Sequence, residues 1–210
     1  GDGLKDMFIC NFFAYKPTLA KESRIAFYKN TGTLSLPVFT FIDDDFLNLS
    51  QSSYGLRMVA TFGDVDGDSK PDLFIGLENG SIVFRKNIST GSTPLFAAAT
   101  ASYQDNNGTP INAGQFASPQ LFDLNKDGKL DLLIGQKTGE IMYYRNIGTS
   151  TVPSFQLETN ILGNVDVSTT TPDGFPYPHF FLHNDTTYLL VGAYDGQIRF
   201  YDSIDGSLNG

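Results

Sequence analysis

Four stretches of this chain are versions of one another, and that repetition limits the available folds more than any other feature. The clearest copy runs from Leu121-Phe122-Asp123 through Asp131-Leu132-Leu133-Ile134-Gly135 to Gly139, Ile141, Tyr143-Tyr144 and Arg145-Asn146-Ile147. Another runs from Thr61-Phe62-Gly63-Asp64 through Asp72-Leu73-Phe74-Ile75-Gly76 to Gly80, Ile82, Phe84 and Lys86-Asn87-Ile88. A weaker fourth copy holds Tyr188-Leu189-Leu190-Val191-Gly192, Gly196, Ile198 and Phe200-Tyr201. A first copy begins part-way, with Asp2-Gly3, Asp6-Met7-Phe8-Ile9 and then Ile25 to Lys29-Asn30.

Each complete unit reads as four strands. In the third unit these fall near 117–123, 131–136, 140–146 and 154–161; the outer strand is expected near 94–101 in the second unit and 38–43 in the first. Asn79-Gly80 and Asp195-Gly196 predict two-residue hairpins with positive φ at both central positions, and Thr138-Gly139 is a weaker version. No long helical period competes. An all-β chain with such a repeat predicts a β-propeller of four-stranded antiparallel blades. The second strands, Asp-Leu-Phe-Ile-Gly and Asp-Leu-Leu-Ile-Gly, are apolar on both faces, as sheets stacked on both sides require. A two-layer sandwich, the competing reading, would alternate more cleanly. The expected blades are 1–46 (first strand missing), 55–104, 114–165 and 176–210 (outer strand missing). That is about three and a half blades, fewer than a closed ring uses. The expectation is therefore a segment of a larger ring, with further blades of the same protein on both sides.

Between the first and second strands of two units lies an acidic turn. In the third unit its first, third, fifth and ninth positions are Asp123, Asn125, Asp127 and Asp131, with Gly128 at the sixth. In the second unit they are Asp64, Asp66, Asp68 and Asp72, with Gly67 at the fourth position and Ser69 at the sixth. Asp2 and Asp6 hold the fifth and ninth positions of the partial first unit. Carboxylates at alternating positions of a turn can converge on one hard cation. Ca²⁺ accepts about six to eight oxygens in flexible geometry, whereas Mg²⁺ demands a rigid octahedron. Lys70 and Lys129, at the seventh position, would contribute backbone carbonyls. The absence of His and Cys from the loops argues against zinc. An EF-hand needs Glu at position twelve, where Ile75 and Ile134 stand. The plainer alternative is a solvated acidic hairpin without metal. The fourth unit has only Phe181 to Thr187 in this place, so no metal is expected there, and His183 and Asn184 read as hairpin-tip residues.

Composition narrows the partners. The formal net charge of −9 disfavours nucleic acid, which needs clustered Lys and Arg, and anionic lipid as well. No run is long enough to cross a membrane as a helix. The single cysteine, Cys10, allows no disulfide within the chain and reads as a small buried residue of a strand. The opening Gly1-Asp2-Gly3 is not a natural start, so a leader removed or lying upstream is expected. No nucleophile elbow, phosphate loop or zinc motif is present, so a non-catalytic role is expected. Asp43-Asp44-Asp45 reads as a solvated strand end. Candidate contact surfaces are the irregular stretches Tyr15 to Ser23 and Tyr103 to Pro110.

The Asp-ladder turn, the following Asp-Leu-x-Ile-Gly strand, the Gly-x-Ile hairpin and the aromatic pair resemble FG-GAP/VCBS repeats of integrin-α-like β-propellers. The Arg/Lys-Asn segment and Leu162 to Asp166 make the chain similar to large secreted bacterial cell-surface propellers, which often carry a C-terminal sorting domain. This resemblance implies Ca²⁺ in the loops, an extracellular setting and a role in adhesion or recognition of a glycan or surface protein. Two other readings stay open: the propeller part of a secreted polysaccharide lyase or hydrolase, and a structural spacer in a large surface protein.

Overall fold

Short aromatic and β-branched runs, each closed by turn residues, become strands and little else. The computed structural model describes residues 2–11, 14–15, 21–91, 93–100, 102–168, 173–202, 204, 205 and 208. In chain order the strands are β1 (Met7–Cys10), β2 (Ala14–Tyr15), β3 (Lys21–Glu22), β4 (Ile25–Asn30), β5 (Phe39–Asp43), β6 (Val59–Gly63), β7 (Asp72–Gly76) and β8 (Ile82–Arg85). They continue as β9 (Ser118–Phe122), β10 (Asp131–Gly135), β11 (Ile141–Asn146), β12 (Phe155–Thr159), β13 (Tyr177–His183), β14 (Thr186–Gly192) and β15 (Ile198–Tyr201). Four antiparallel sheets result: β1-β4-β5, β6-β7-β8, β12-β11-β10-β9 and β13-β14-β15, hereafter sheets one to four. Strands β2 and β3 form a small separate hairpin. The helical segments among the described residues are two short 3-10 turns, Phe46–Gln51 and Leu162–Asn164. None is long and apolar enough to cross a membrane.

Sheet three is a complete four-stranded blade. Sheet two differs from the sequence expectation. Its outer strand near 94–101 is reduced to isolated bridges, Asn87 with Phe96 and Phe84 with Thr100. Pro94 and the run Ala97-Ala98-Ala99 supply few residues that favour a pleated ladder.

The sheets stack face to face. Call the face that each sheet turns toward the next one leading and the other trailing. The leading side of sheet one (Ile25, Phe27, Phe8) packs on Leu73, Ile75 and Val83 of sheet two. The leading side of sheet two (Phe74, Ile82, Phe84) packs on Leu132, Ile134, Met142 and Tyr144 of sheet three. The leading side of sheet three (Leu133, Ile141, Tyr143) packs on Leu189, Val191 and Phe180 of sheet four. This is why β7 and β10 are buried at every residue. β14, covered on one side alone, alternates between buried and half-buried. The first strands β6, β9 and β13 lie side by side and line one groove, through Thr61, Gln120 and His179 among others. The architecture is blade-like and all-β. Among the described residues the stack does not close into a ring: the trailing side of sheet one and the leading side of sheet four are exposed.

The inner hairpins also differ from expectation. Gly80 has φ 83°, Gly139 114° and Gly196 76°, but Asn79, Thr138 and Asp195 are not left-handed. The amide of each glycine instead donates three residues back, to the carbonyls of Leu77, Gln136 and Ala193. A type I turn followed by one left-handed glycine meets the strand twist as well as a two-residue turn does. The paired left-handed residues occur at Asn184 and Asp185 (φ 49° and 59°), at the tip joining β13 to β14. That is where the fourth unit lacks an acidic loop.

Glycine at the end of the second strand has a packing cause. A methyl on Gly76 would run into the Ala117 carbonyl of the next sheet, and one on Gly135 into the Pro176 carbonyl. Gly135→Ala is therefore expected to lower stability by about 2 kcal/mol or more, as overpacking does. Gly91→Ala, where added bulk meets nothing within 4 Å, is expected to leave it nearly unchanged. Urea melts of the two variants check this, and equal midpoints would contradict the close sheet approach.

Candidate metal centre

The two complete acidic turns begin where the first strand of each sheet ends. Their backbones agree despite different sequences. The fourth position is left-handed in both (Gly67 φ 72°, Lys126 φ 60°), and so is the sixth (Ser69 φ 66°, Gly128 φ 85°). The glycine has changed place while the shape has stayed. In each turn the first aspartate organises the loop. Asp64 accepts from the amides of Gly67 and Ser69 at 2.7 and 2.8 Å. Asp123 accepts from those of Asp127 and Gly128 at 3.0 and 2.8 Å. The fifth position holds the seventh: Asp68 and Asp127 each accept the amide of Lys70 or Lys129 at 3.0 Å. These lysines also pair through their side chains, Lys70 with Asp68 at 3.4 Å and Lys129 with Asp127 at 2.9 Å. Burial works against ionisation of Asp127, but the Lys129 contacts outweigh it and hold its carboxyl below the usual range.

The ninth aspartate does something the sequence did not announce. Asp72 and Asp131 are fully buried, and each accepts a 2.8 Å bond from a backbone amide at the end of the third strand: Asn87 for Asp72, Asn146 for Asp131. Asp6 makes the same bond with the Asn30 amide, also at 2.8 Å. The asparagines carry the connection onward. Asn146 Oδ1 accepts from the Gly148 and Ser154 amides while its Nδ2 donates to the Leu130 carbonyl. Asn30 Oδ1 accepts from Gly32 and Val38, and Asn87 Oδ1 from Ser89. Each Asp–Asn pair thus latches the second strand, the third strand and the turn to the outer strand. The signal for it was present as Lys29-Asn30, Lys86-Asn87 and Arg145-Asn146 at matching places.

The latch leaves the carboxylates under electrostatic load. Burial raises the Asp131 carboxyl to about 6, against hydrogen bonds from Asn146, Leu124 and Tyr143 that pull it down. Its folded value lies above its unfolded one, so the stability it contributes is full below the usual aspartate range and lost as pH rises through about 6. Asp72 is also raised, first by burial and then by the neighbouring charges of Asp66 and Asp68.

The loops differ in how their carboxylates converge. In the second unit, oxygens of Asp64, Asp66 and Asp72 lie within 4.8 Å of one another, the one such acidic group found among the described residues. At that separation each pair of charges repels by about 3 kcal/mol at an effective dielectric of 20. Asp66 is nine-tenths buried, its Oδ2 pairs with Lys86 Nζ, and its Oδ1 is buried with no hydrogen-bond partner. A buried, unsatisfied carboxylate oxygen beside two further carboxylates suits a hard divalent cation. In the third unit Asn125 stands in place of Asp66 and donates to Asp127 at 3.1 Å. Arg145, the counterpart of Lys86, turns away to Glu158 at 3.0 Å. The partial first loop has Lys29 near Asp2 at 3.6 Å, and Asp2 also caps the Leu4 amide.

The stretch Tyr103 to Pro110 is exposed over Asn106 to Pro110, but its one aromatic residue turns inward. Tyr103 packs on Phe74, Phe84 and Phe155 between sheets two and three. Of the other candidate stretch, residues 16–20 lie outside the described residues. A different row stands out on the rim opposite the loops. Arg57, Phe116 and Phe175 occupy equivalent places just before β6, β9 and β13, all with positive φ. The Arg57 guanidinium lies 4.0 Å from the Phe116 ring and 4.7 Å from Phe175, and Phe175 lies 5.5 Å from exposed Tyr194.

The FG-GAP-like repeat family profile matches residues 64–134. That span, from the first aspartate of one loop to the second strand of the next sheet, is an FG-GAP-like repeat. The blade-like antiparallel sheets on either side of it are consistent with a propeller-type fold. No curated protein and no solved structure matched it.

Asn146→Ala removes an acceptor for two amides and a donor to Leu130. It is expected to cost about 2–3 kcal/mol, the scale for orphaned buried polar groups, while Asn160→Ala at an exposed turn costs little. Equal urea midpoints for the two variants would rule out the latch.

Proposed function

We propose that this chain is a calcium-stabilised propeller module of the extracellular or cell-surface setting, acting in binding or adhesion rather than catalysis. One observation carries the cation: Asp66 Oδ1, buried and unpartnered inside the Asp64–Asp66–Asp72 cluster. Asp64, Asp66, Asp68 and Asp72, with the Lys70 carbonyl, would hold Ca²⁺ in the second unit. Asp123, Asn125, Asp127 and Asp131, with the Lys129 carbonyl, would do so in the third, and Asp2 and Asp6 would contribute to an incomplete first site. Bound Ca²⁺ supplies positive charge and oxygen coordination. The residues of this chain bring the carboxylates together, through amides that fix Asp64 and Asp123 and through the Asp–Asn latch. Lys86 acts as an internal counter-ion, neutralising Asp66 and, at 3.9 Å, Asp68. Loops of this kind fill at extracellular, roughly millimolar, calcium and stay empty in a cytosol.

For recognition, the rim away from the loops supports the reading best. Arg57, Phe116, Phe175 and Tyr194 form a row across three successive sheets, tilted rings in contact and a cation of the sort that suits sugar faces or a protein surface. Non-glycine residues held at positive φ cost energy and concentrate at functional places. The partner is a glycan or a surface protein.

Calorimetric or optical melts test the cation. A hundredfold excess of Ca²⁺ over its Kd is expected to add about 2.7 kcal/mol per site, and chelator to reverse it. Asp66→Asn is expected to abolish the contribution of the second unit, and Lys86→Met to tighten binding several-fold. A midpoint indifferent to Ca²⁺ and chelator would remove the assignment. For the partner, a glycan and surface-protein array is expected to give binding that weakens with the double change Phe175→Ala and Tyr194→Ala at unchanged stability. Depolymerisation of an arrayed glycan would instead support the enzyme reading.

A further inference from the structure

Asparagine followed by glycine is a chemically reactive pair. The glycine nitrogen, unshielded by a side chain, can reach the carboxamide carbon of the asparagine before it. The chain holds three such pairs: Asn79-Gly80, Asn107-Gly108 and Asn209-Gly210, the last outside the described residues. The first two have similar neighbours, Ser81 after one and Thr109 after the other. The fold treats them differently.

Asn79-Gly80 is enclosed. Asn79 Oδ1 accepts the Ser81 amide at 3.0 Å, and the Asn79 carbonyl accepts from Asn112 Nδ2 at 3.5 Å. Gly80 is buried, its carbonyl accepts the Ala113 amide at 2.9 Å, and a methyl on it would meet Asn112 and Gly114 at 2.6 and 2.8 Å. Asn107-Gly108 instead stands at the tip of a small hairpin closed by the bridge between Gln104 and Pro110. Residues 106–110 are exposed, and nothing lies within 4 Å of a methyl built on Gly108. Asp105 Oδ1 holds the backbone amides of Asn107 and Thr109 at 2.9 Å, but the Asn107 carboxamide makes no hydrogen bond among the described residues. The Gly108 amide donates to the Asp105 carbonyl at 3.1 Å, and Gly80 makes the same bond to Leu77 at 3.0 Å. That bond is common to both sites, so the contrast lies in the carboxamide and its surroundings. The tip stands between sheets two and three. The Asn106 amide donates to the Phe155 carbonyl of sheet three, and the Tyr103 amide to the Ile82 carbonyl of sheet two, both at 2.8 Å. Its exposure owes nothing to the open faces of sheets one and four.

We propose that Asn107 is a modification site, at which the folded chain deamidates without an enzyme to a mixture of aspartate and isoaspartate. The Gly108 nitrogen gives its proton to hydroxide and attacks the Asn107 carboxamide carbon. A carbon–nitrogen bond forms, the bond to Nδ2 breaks, and Nδ2 leaves as ammonia with a proton from water. Water then opens the cyclic imide. Attack at the side-chain carbonyl gives aspartate, and attack at the backbone carbonyl leaves the chain joined through the side-chain carbon as isoaspartate. One water is consumed and one ammonia released, with no change of oxidation state. The product adds a carboxylate two residues from Asp105, and isoaspartate also adds a backbone carbon to the turn. Tyr103 and buried Ile111 pin the base of the hairpin, joined by a 2.8 Å bond from the Ile111 amide to the Tyr103 carbonyl. The change is therefore confined to the exposed tip, which alters its charge with time while the sheets stay folded.

Peptide mapping by mass spectrometry, with isoaspartyl methylation to count isoaspartate, tests this on the 210-residue chain. The chain is incubated folded at neutral and mildly alkaline pH, and in parallel unfolded in denaturant. In the folded chain Asn107 is expected to convert at least about tenfold faster than Asn79, the factor for one more hydrogen bond to be opened. The rate should rise in proportion to hydroxide, and the melting curve of the converted chain should match that of the parent. In denaturant the two sites should convert at like rates, which assigns the difference to the fold. Asn107→Gln is expected to stop the conversion, because the longer side chain closes a less favourable ring. Gly108→Asn, which tolerates the left-handed turn position and shields the nitrogen, serves should that variant fail to fold. Three results would each overturn the proposal: an Asn107 that stays intact in the folded chain while converting in denaturant, an Asn79 that converts as fast as Asn107 in the folded chain, or a product free of isoaspartate.

Discussion

A buried carboxylate at the start of the second strand organises each of the two central sheets. Asp72 and Asp131 give up water entirely, and the fold tolerates this because backbone amides take its place. The Asn87 and Asn146 amides sit at 2.8 Å, and the Val65 and Leu124 amides approach the other oxygen. The asparagine side chain then secures the turn into the outer strand. One ionised group thus joins loop, second strand, third strand and outer turn. It anchors β7 and β10, whose apolar residues alternate between the two faces and so meet both neighbouring sheets.

The same carboxylates sit at the edge of the acidic turns, which couples the latch to the charge of the loop. In the second unit Lys86 stands between Asp66 and Asp68, so the cluster carries its own partial neutralisation. The third unit reaches a similar balance with Asn125 in place of a carboxylate and Lys129 on Asp127. A divalent cation would take over this role in the second unit and release Lys86 toward solvent. The loops and the Arg57–Phe116–Phe175 row lie at opposite ends of the same first strands. A cation held in the loops would therefore stiffen the sheets without touching that row.

Much of this was legible in the sequence, because the repeat exposes function by comparison. The second strands, the acidic turns and the loss of the turn in the fourth unit follow from Asp, Gly and apolar spacing alone. The asparagine latch was harder to read: Asn30, Asn87 and Asn146 recur at matching places, but the bond to the aspartate comes from a backbone amide, which residue type does not announce. Lys86 was missed because it lies beyond the loop and reaches back into it. The inner hairpins were misjudged because Asn-Gly suits two turn types, and sheet register chose the one with a single left-handed residue. Tyr103 read as surface in an Asn-rich stretch, yet three aromatic side chains from two sheets enclose it.

The most direct test of the cation account is a crystal structure of the chain grown in millimolar Ca²⁺, with anomalous data to identify the ion. The account predicts an ion in the second unit bonded at about 2.3–2.6 Å to oxygens of Asp64, Asp66, Asp68 and Asp72, with Lys86 displaced from Asp66. Asp66 still paired with Lys86, and no ion among these carboxylates, would contradict it.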